Sequence, residues 1–288
     1  MTEQDLGGLV VDWGGVLTAS LDGAMAAWTI QDRVNYEHFR DVMRDWVRGQ
    51  ATVGSSAAGV GRPAGPVPSE PTAARAVGGR RSAPRHGGGQ PGEGLPGGGE
   101  PGEGGGGEPG EGPVAEVEEA DDAGPAGASP VHRLERGELS VAEFETTLAE
   151  ELARRGSPVR AEGLLGRMLG GLAQLEDDMV GLVRRARAAG VRTALLSNSW
   201  GDDYPEQLWD GMFDTLVISG RVGMRKPEPE IFRYTCAQLG LPPSACVMVD
   251  DLPHNVAGAV AVGMVGVLHT RYETTAEELE ILFGASLR

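Results

Sequence analysis

Four short apolar runs in this chain end on residues able to do chemistry. Leu9-Val10-Val11 leads into Asp12, followed by Trp13-Gly14-Gly15. Thr193 to Leu196 leads into Ser197-Asn198-Ser199, and Thr215 to Ser219 is followed by Gly223-Met224-Arg225-Lys226-Pro227. Cys246 to Val249 leads into Asp250-Asp251. One carboxylate can act as a nucleophile. Two or three carboxylates can hold Mg²⁺, which takes oxygen ligands and keeps several waters. A lysine and a hydroxyl can hold a phosphoryl oxygen and offset its developing charge. Singly, each residue has an ordinary structural explanation. Asp12 or Ser197 can cap a turn or helix, Lys226 can be a solvated charge, and Asp250-Asp251 can open the next helix. Only their recurrence after apolar runs favours chemistry.

The elements that must gather them follow from periodicity. Phe39, Val42, Met43, Trp46 and Val47 predict a helix over residues 37–47. Ser140, with Glu143 three residues on, predicts a capping box before Val141, Phe144, Leu148 and Leu152. From residue 177 onward helices and strands alternate. Helices are expected over 183–189, 229–239, 256–261 and 276–283, and strands over 193–196, 215–219, 246–249 and 265–269. This alternation predicts an α/β fold, a Rossmann-like parallel sheet with helices on both faces and its site at the carboxyl ends of the strands.

Residues 50–130 read differently. They hold about half of the glycines and most of the prolines, and Leu95 is their single leucine. Pro-Gly-Glu-Gly recurs at Pro91, Pro101 and Pro109. So little apolar surface cannot offset roughly 1–2 kcal/mol per residue of backbone ordering entropy, so a long disordered insert is expected. It reads as a tolerated surface insertion or as a partner-binding arm. The expected layout is an α/β core over 1–20 and 176–288, with a small helical cap over 21–175 that the insert interrupts.

Composition limits the function classes. The 288 residues carry 25 Lys and Arg against 42 Asp and Glu, a net charge of −17. That balance argues against nucleic acid and anionic lipid as partners. No apolar run reaches the roughly 18 residues of a membrane span. Cys236 and Cys246 cannot build a disulfide framework, and the N-terminus lacks a secretory layout, so a cytoplasmic location is expected.

In order along the chain, Val11-Asp12-Trp13-Gly14-Gly15-Val16-Leu17-Thr18, Leu195-Leu196-Ser197-Asn198, Gly223-Met224-Arg225-Lys226-Pro227 and Val249-Asp250-Asp251 through Ala259 resemble the haloacid dehalogenase superfamily. Glu135-Arg136-Gly137-Glu138-Leu139-Ser140 is similar to the capped phosphatase branch. The resemblance covers residues 7–20 and about 132–270. It implies that Asp12 attacks phosphorus and that Asp12, the Gly14 carbonyl, Asp250 and Asp251 organise Mg²⁺. It implies phosphate binding by Ser197, Asn198 and Lys226, with Lys226 also offsetting catalytic charge. Asn255 would brace the fourth loop, and Arg225 would be structural or at the rim. The implied substrate is a small phosphorylated metabolite.

Gly14 departs from the pattern. Most family phosphatases carry there a second Asp that protonates the leaving alcohol, a contribution of about 10²–10⁴-fold. The expectation is therefore a Mg²⁺-dependent phosphohydrolase with activated substrates or slow turnover. The alternative is a weak or inactive phosphate-ligand binder that interacts through the insert. His254 reads as a loop residue, although it is the nearest substitute acid. Trp13, Trp200 and Trp209 are each open between pocket wall and core.

Overall fold

The computed structural model describes residues 6–47, 129–201, 204 and 209–288. The expected insert at 50–130 lies outside them except for its last two residues. Ser129 caps a helix there and Pro130 opens it.

The core is a five-stranded, all-parallel sheet of β1 (Gly8–Val11), β2 (Arg192–Ser197), β3 (Thr215–Ile218), β4 (Cys246–Asp250) and β5 (Val265–Leu268). Its order is β3-β2-β1-β4-β5. β1 lies between β2 and β4, with Val11 opposite both Leu195 and Val249. A central parallel strand is covered on both faces, so β1 reads as an unbroken apolar run rather than an alternation. All four of its residues are buried.

Side-chain alternation splits this run between two cores. Leu9 and Val11 face a cluster with Leu182, Val183 and Leu279, from helices α6 (Asp177–Ala188) and α10 (Tyr272–Phe283). Val10 faces Ile231, Phe232, Cys236 and Ala259, from α8 (Pro229–Leu239) and α9 (Pro253–Ala261). Both cysteines are free and buried. Gly258 on α9 lets that helix lie against the Lys226 loop, because a Cβ there would come within 2.7 Å of the Pro227 carbonyl.

A third apolar cluster belongs to the cap, built from α1 (Leu21–Gln31), α2 (Tyr36–Val47), α3 (Pro130–Glu135), α4 (Val141–Arg154) and α5 (Leu164–Leu169). The expected capping box of α4 forms, with Ser140 and Glu143 bonded reciprocally. Phe144 is fully buried and meets Trp46 and Trp200 edge-on, with ring centroids 5.5 and 5.8 Å apart. Such pairs add about 0.5–1.5 kcal/mol beyond their burial. Asp32 ties α1 to α5 by accepting from Trp28 Nε1 at 2.9 Å and Arg167 Nε at 2.7 Å.

The boundaries differ where a cap sets them. α9 begins at Pro253 rather than Val256, because proline suits a first helical turn, where an N–H has no partner. β3 stops at Ile218, and Ser219 opens the short helix α7 (Ser219–Val222).

Candidate active site

Asp12 follows directly on β1, Ser197 ends β2 and Asp250 ends β4. Three adjacent strands thus deliver polar residues to one sheet edge. Asp12, Asp250 and Asp251 can each offer a carboxylate oxygen, all within 4.8 Å of one another. Lys226, on the loop between α7 and α8, reaches into this cluster. Its Nζ lies 2.8 Å from Asp12 Oδ1 and 2.5 Å from Asp250 Oδ2, and only 1% of its side chain is exposed.

A lysine this deeply buried needs partners to stay charged. Burial works against its charge, yet attraction to Asp12 and Asp250 holds its pKa above the ordinary lysine value. Burial pushes Asp12 up to about 7, against the lowering pull of Lys226 and with repulsion from Asp250 adding to the rise. Burial and the Asp250 charge likewise raise Asp251 to about 6. One ammonium therefore faces three carboxylates whose repulsion it only partly offsets. Such a cluster of hard oxygen donors suits a divalent cation.

The supports of this cluster are local. Asp250 Oδ1 accepts from the Leu252 N–H and from Asn255 Nδ2, each at 3.0 Å. Asn255 is itself buried, and its Oδ1 has no partner among the described residues. Asn198 turns its side chain to the lysine loop: its Oδ1 accepts from the Lys226 N–H at 2.8 Å, and its Nδ2 donates to the Lys226 carbonyl at 3.0 Å. This amide fixes the lysine backbone, so only the main chain of Asn198 remains for a ligand. Gly15 takes a left-handed backbone conformation, φ 74°, and a side chain there would collide with the Asp251 carboxylate.

A cavity of about 1050 Å³ opens over this edge. Asp12, Gly14, Ser197, Asn198, Lys226, Asp251 and Asn255 all line it, whereas Asp250 lies behind them. A Cβ at Gly14 would meet nothing within 4 Å, so the side chain missing there leaves free space two residues from Asp12. Trp13 does both things left open for it. It lines the cavity and packs edge-on against Trp209 at 5.3 Å. Trp209 belongs to the core, and Trp200 lines the cavity.

The contacts of four residues escape sequence reasoning, although Glu135 and Arg136 lie in a stretch already singled out there. Tyr204 places its hydroxyl 3.0 Å from Ser197 Oγ and lines the cavity. Burial raises its pKa, so the phenol keeps its proton. Glu135 binds Arg225 Nε at 2.6 Å and Trp200 Nε1 at 3.2 Å. Arg136 pairs with Glu228. These contacts join α3 of the cap to both sides of Lys226. Glu145 accepts from the Gly163 and Leu165 N–H groups and so caps α5. Spacing gives no local signal for them, because the partner lies seven residues away for Tyr204 and 18 or more for the others.

The chain matches the haloacid dehalogenase-like hydrolase family over residues 7–263. It is 29% identical over 157 residues to the sesquiterpene phosphatase astK of Aspergillus oryzae, covering 53% of this chain and 78% of that one. It is 31% identical over 156 residues to flavin mononucleotide hydrolase 1 of Arabidopsis thaliana, covering 49% and 60%. It spans only 10–29% of three longer relatives. A dehalogenase crystal structure with an intermediate complex shares the fold at a TM-score of 0.51 and 15% identity, covering 98% of both chains. No described helix is long and apolar enough to cross a membrane. Sheet order, strand-end carboxylates and a family match across nearly the whole sequence agree: the chain belongs to the haloacid dehalogenase-like hydrolases.

Proposed function

We propose that this hydrolase cleaves a phosphate monoester through an aspartyl-phosphate at Asp12. The observation that carries the reading is Lys226, buried between Asp12 and Asp250 with Asp251 beside them. A binding module has no need of a buried aspartate aimed at its ligand. The relatives named as phosphatase and mononucleotide hydrolase support phosphoester chemistry.

In this reading an Asp12 oxygen attacks phosphorus while the bond to the leaving oxygen breaks. The leaving group departs with the electron pair. Water then attacks the aspartyl-phosphate, which frees phosphate and restores the carboxylate. Lys226 offsets charge on Asp12 and on the phosphoryl oxygens. Ser197, held by Tyr204, and the main chain at Asn198 bind the phosphoryl group. Asn255 and Asn198 hold Asp250 and Lys226 in place.

Asp12, Asp250, Asp251 and the Gly14 carbonyl are the donors that would hold Mg²⁺, and their oxygen chemistry fits it. When bound, the ion supplies positive charge that ionises Asp12 and stabilises the transferring phosphoryl group.

Gly14 favours a second reading, a phosphate-ligand binder with little turnover. It removes the usual proton donor, and His254 is a poor substitute because burial lowers its pKa below the ordinary histidine value. The test is hydrolysis of p-nitrophenyl phosphate with Mg²⁺ or EDTA, for wild type and Asp12→Asn. Metal-dependent turnover lost in Asp12→Asn supports the enzyme. A folded protein inert to a broad ester panel supports the binder.

A further inference from the structure

Away from the carboxylates the cavity changes character. Its far walls are Leu21 of α1, Val141 of α4, Leu165 and Leu169 of α5, Leu172 and Trp200. Two of the acidic side chains at the lining, Glu145 and Glu135, are already engaged. Glu145 caps α5, and Glu135 holds Arg225 and Trp200. Its lysine and arginine are engaged too, since Lys226 sits between Asp12 and Asp250 and Arg225 is paired with Glu135, which leaves His254 as the remaining basic residue at the lining. Asp22 adds further negative charge at the lining. A second phosphate would find no unpaired lysine or arginine among the described lining residues, and a polar body laid against the leucine wall would be desolvated without compensation.

Room is also present. The cavity sits at the upper end of the roughly 300–1,000 Å³ typical of small-ligand sites. Along α5, Gly166 lines it, and Gly170 lies one turn further on. A Cβ at either position would meet nothing within 4 Å. The apolar wall therefore borders open space next to the phosphoryl position, rather than a closed core.

From this lining we infer that the substrate is a monophosphate whose organic body is hydrocarbon or aromatic, lodged along α5 with no second charged group. The inference rests on the phosphohydrolase reading, and the experiment separates the two. With Mg²⁺ present, kcat/KM is measured for 4-alkylphenyl phosphates from methyl to octyl, which keep one leaving group while the apolar body grows. Hexose phosphates and nucleoside diphosphates are run beside them. The expected result is a rise of about fourfold per added methylene until the cavity is filled, with the polar esters far below. In Gly166→Leu the rise should stop at a shorter chain. Leucine is the better helix former, so loss of fold is not expected there. Calorimetric binding of n-alkylphosphonates reads the same preference without turnover.

Efficient hydrolysis with no dependence on chain length overturns the apolar subsite and leaves the phosphatase reading intact. Absent turnover with phosphonate affinity that climbs with chain length overturns the phosphatase reading and keeps the ligand class. A Gly166→Leu profile identical to wild type overturns the placement along α5.

Discussion

An aspartate at position 14 would put a proton donor where the wild type has open space. A Cβ there meets nothing within 4 Å, and Gly14 is not among the positive-φ glycines, so Gly14→Asp fits without moving its neighbours. The new carboxyl would stand near Asp12 and Asp251, which already titrate at about 7 and 6. In the metal-free site, repulsion from them would raise its pKa as well, toward the protonated form a general acid needs. The gain should depend on the leaving group. A nitrophenolate departs without help, so p-nitrophenyl phosphate should gain less than threefold. A simple alkyl phosphate needs the proton and should gain about 10²–10⁴-fold in kcat. The assay is kcat across aryl and alkyl phosphates with Mg²⁺, plotted against leaving-group pKa, where the variant's line should be flatter. An equal gain on every ester, or none on alkyl esters by folded variant, would refute the idea that position 14 lacks an acid.

Four further substitutions have expected outcomes. Gly15→Ala should force the Asp251 carboxylate aside and weaken Mg²⁺ affinity at least tenfold by calorimetry, while the fold survives by circular dichroism. Asp12 binds its proton more tightly folded than unfolded, so in EDTA it lowers stability as pH rises from about 4 to 7. Asp12→Asn should therefore melt a few degrees above wild type at pH 8 in EDTA, with the gap closing by pH 5 and shrinking when Mg²⁺ is added. Glu135→Ala leaves Arg225 buried and unpaired, which should cost about 3–5 kcal/mol in urea unfolding. Glu37→Ala breaks only an exposed pair and should change stability by less than about 0.5 kcal/mol.

Much of the core was legible because β1, β2 and β4 are largely apolar and lead into polar residues. Leu9-Val10-Val11-Asp12 and Cys246 to Asp250 announce both the element and its edge. The α4 start was legible for a different reason, since Ser140 and Glu143 are a local exchange of hydrogen bonds. α1 was not, because Leu21, Met25 and Trp28 share one stripe but Ile30 stands exposed on the opposite face and three alanines blur the pattern between them. α5 was masked by Gly163, Gly166 and Gly170, which weaken helix propensity while opening the cavity. The four chemical loops were visible as motifs, yet the side-chain work of Asn198 was not. Its partner is the main chain of Lys226, and a peptide bond leaves no mark in the residue code.

The sheet order has a consequence for the timing of motion. The Asp12 N–H donates to the Val249 carbonyl at 3.0 Å, continuing the ladder past the last strand residue. Asp12 is therefore spaced from Asp250 by main-chain pairing, at the roughly 4.8 Å interval of neighbouring strands. Its amide proton should exchange with solvent only when the whole sheet opens, while amides at the ends of the cap helices exchange through local fraying. On the proposed reading, the carboxylate cluster would then sit on the slowest-exchanging part of the fold and the apolar wall of the cavity on a faster-exchanging one.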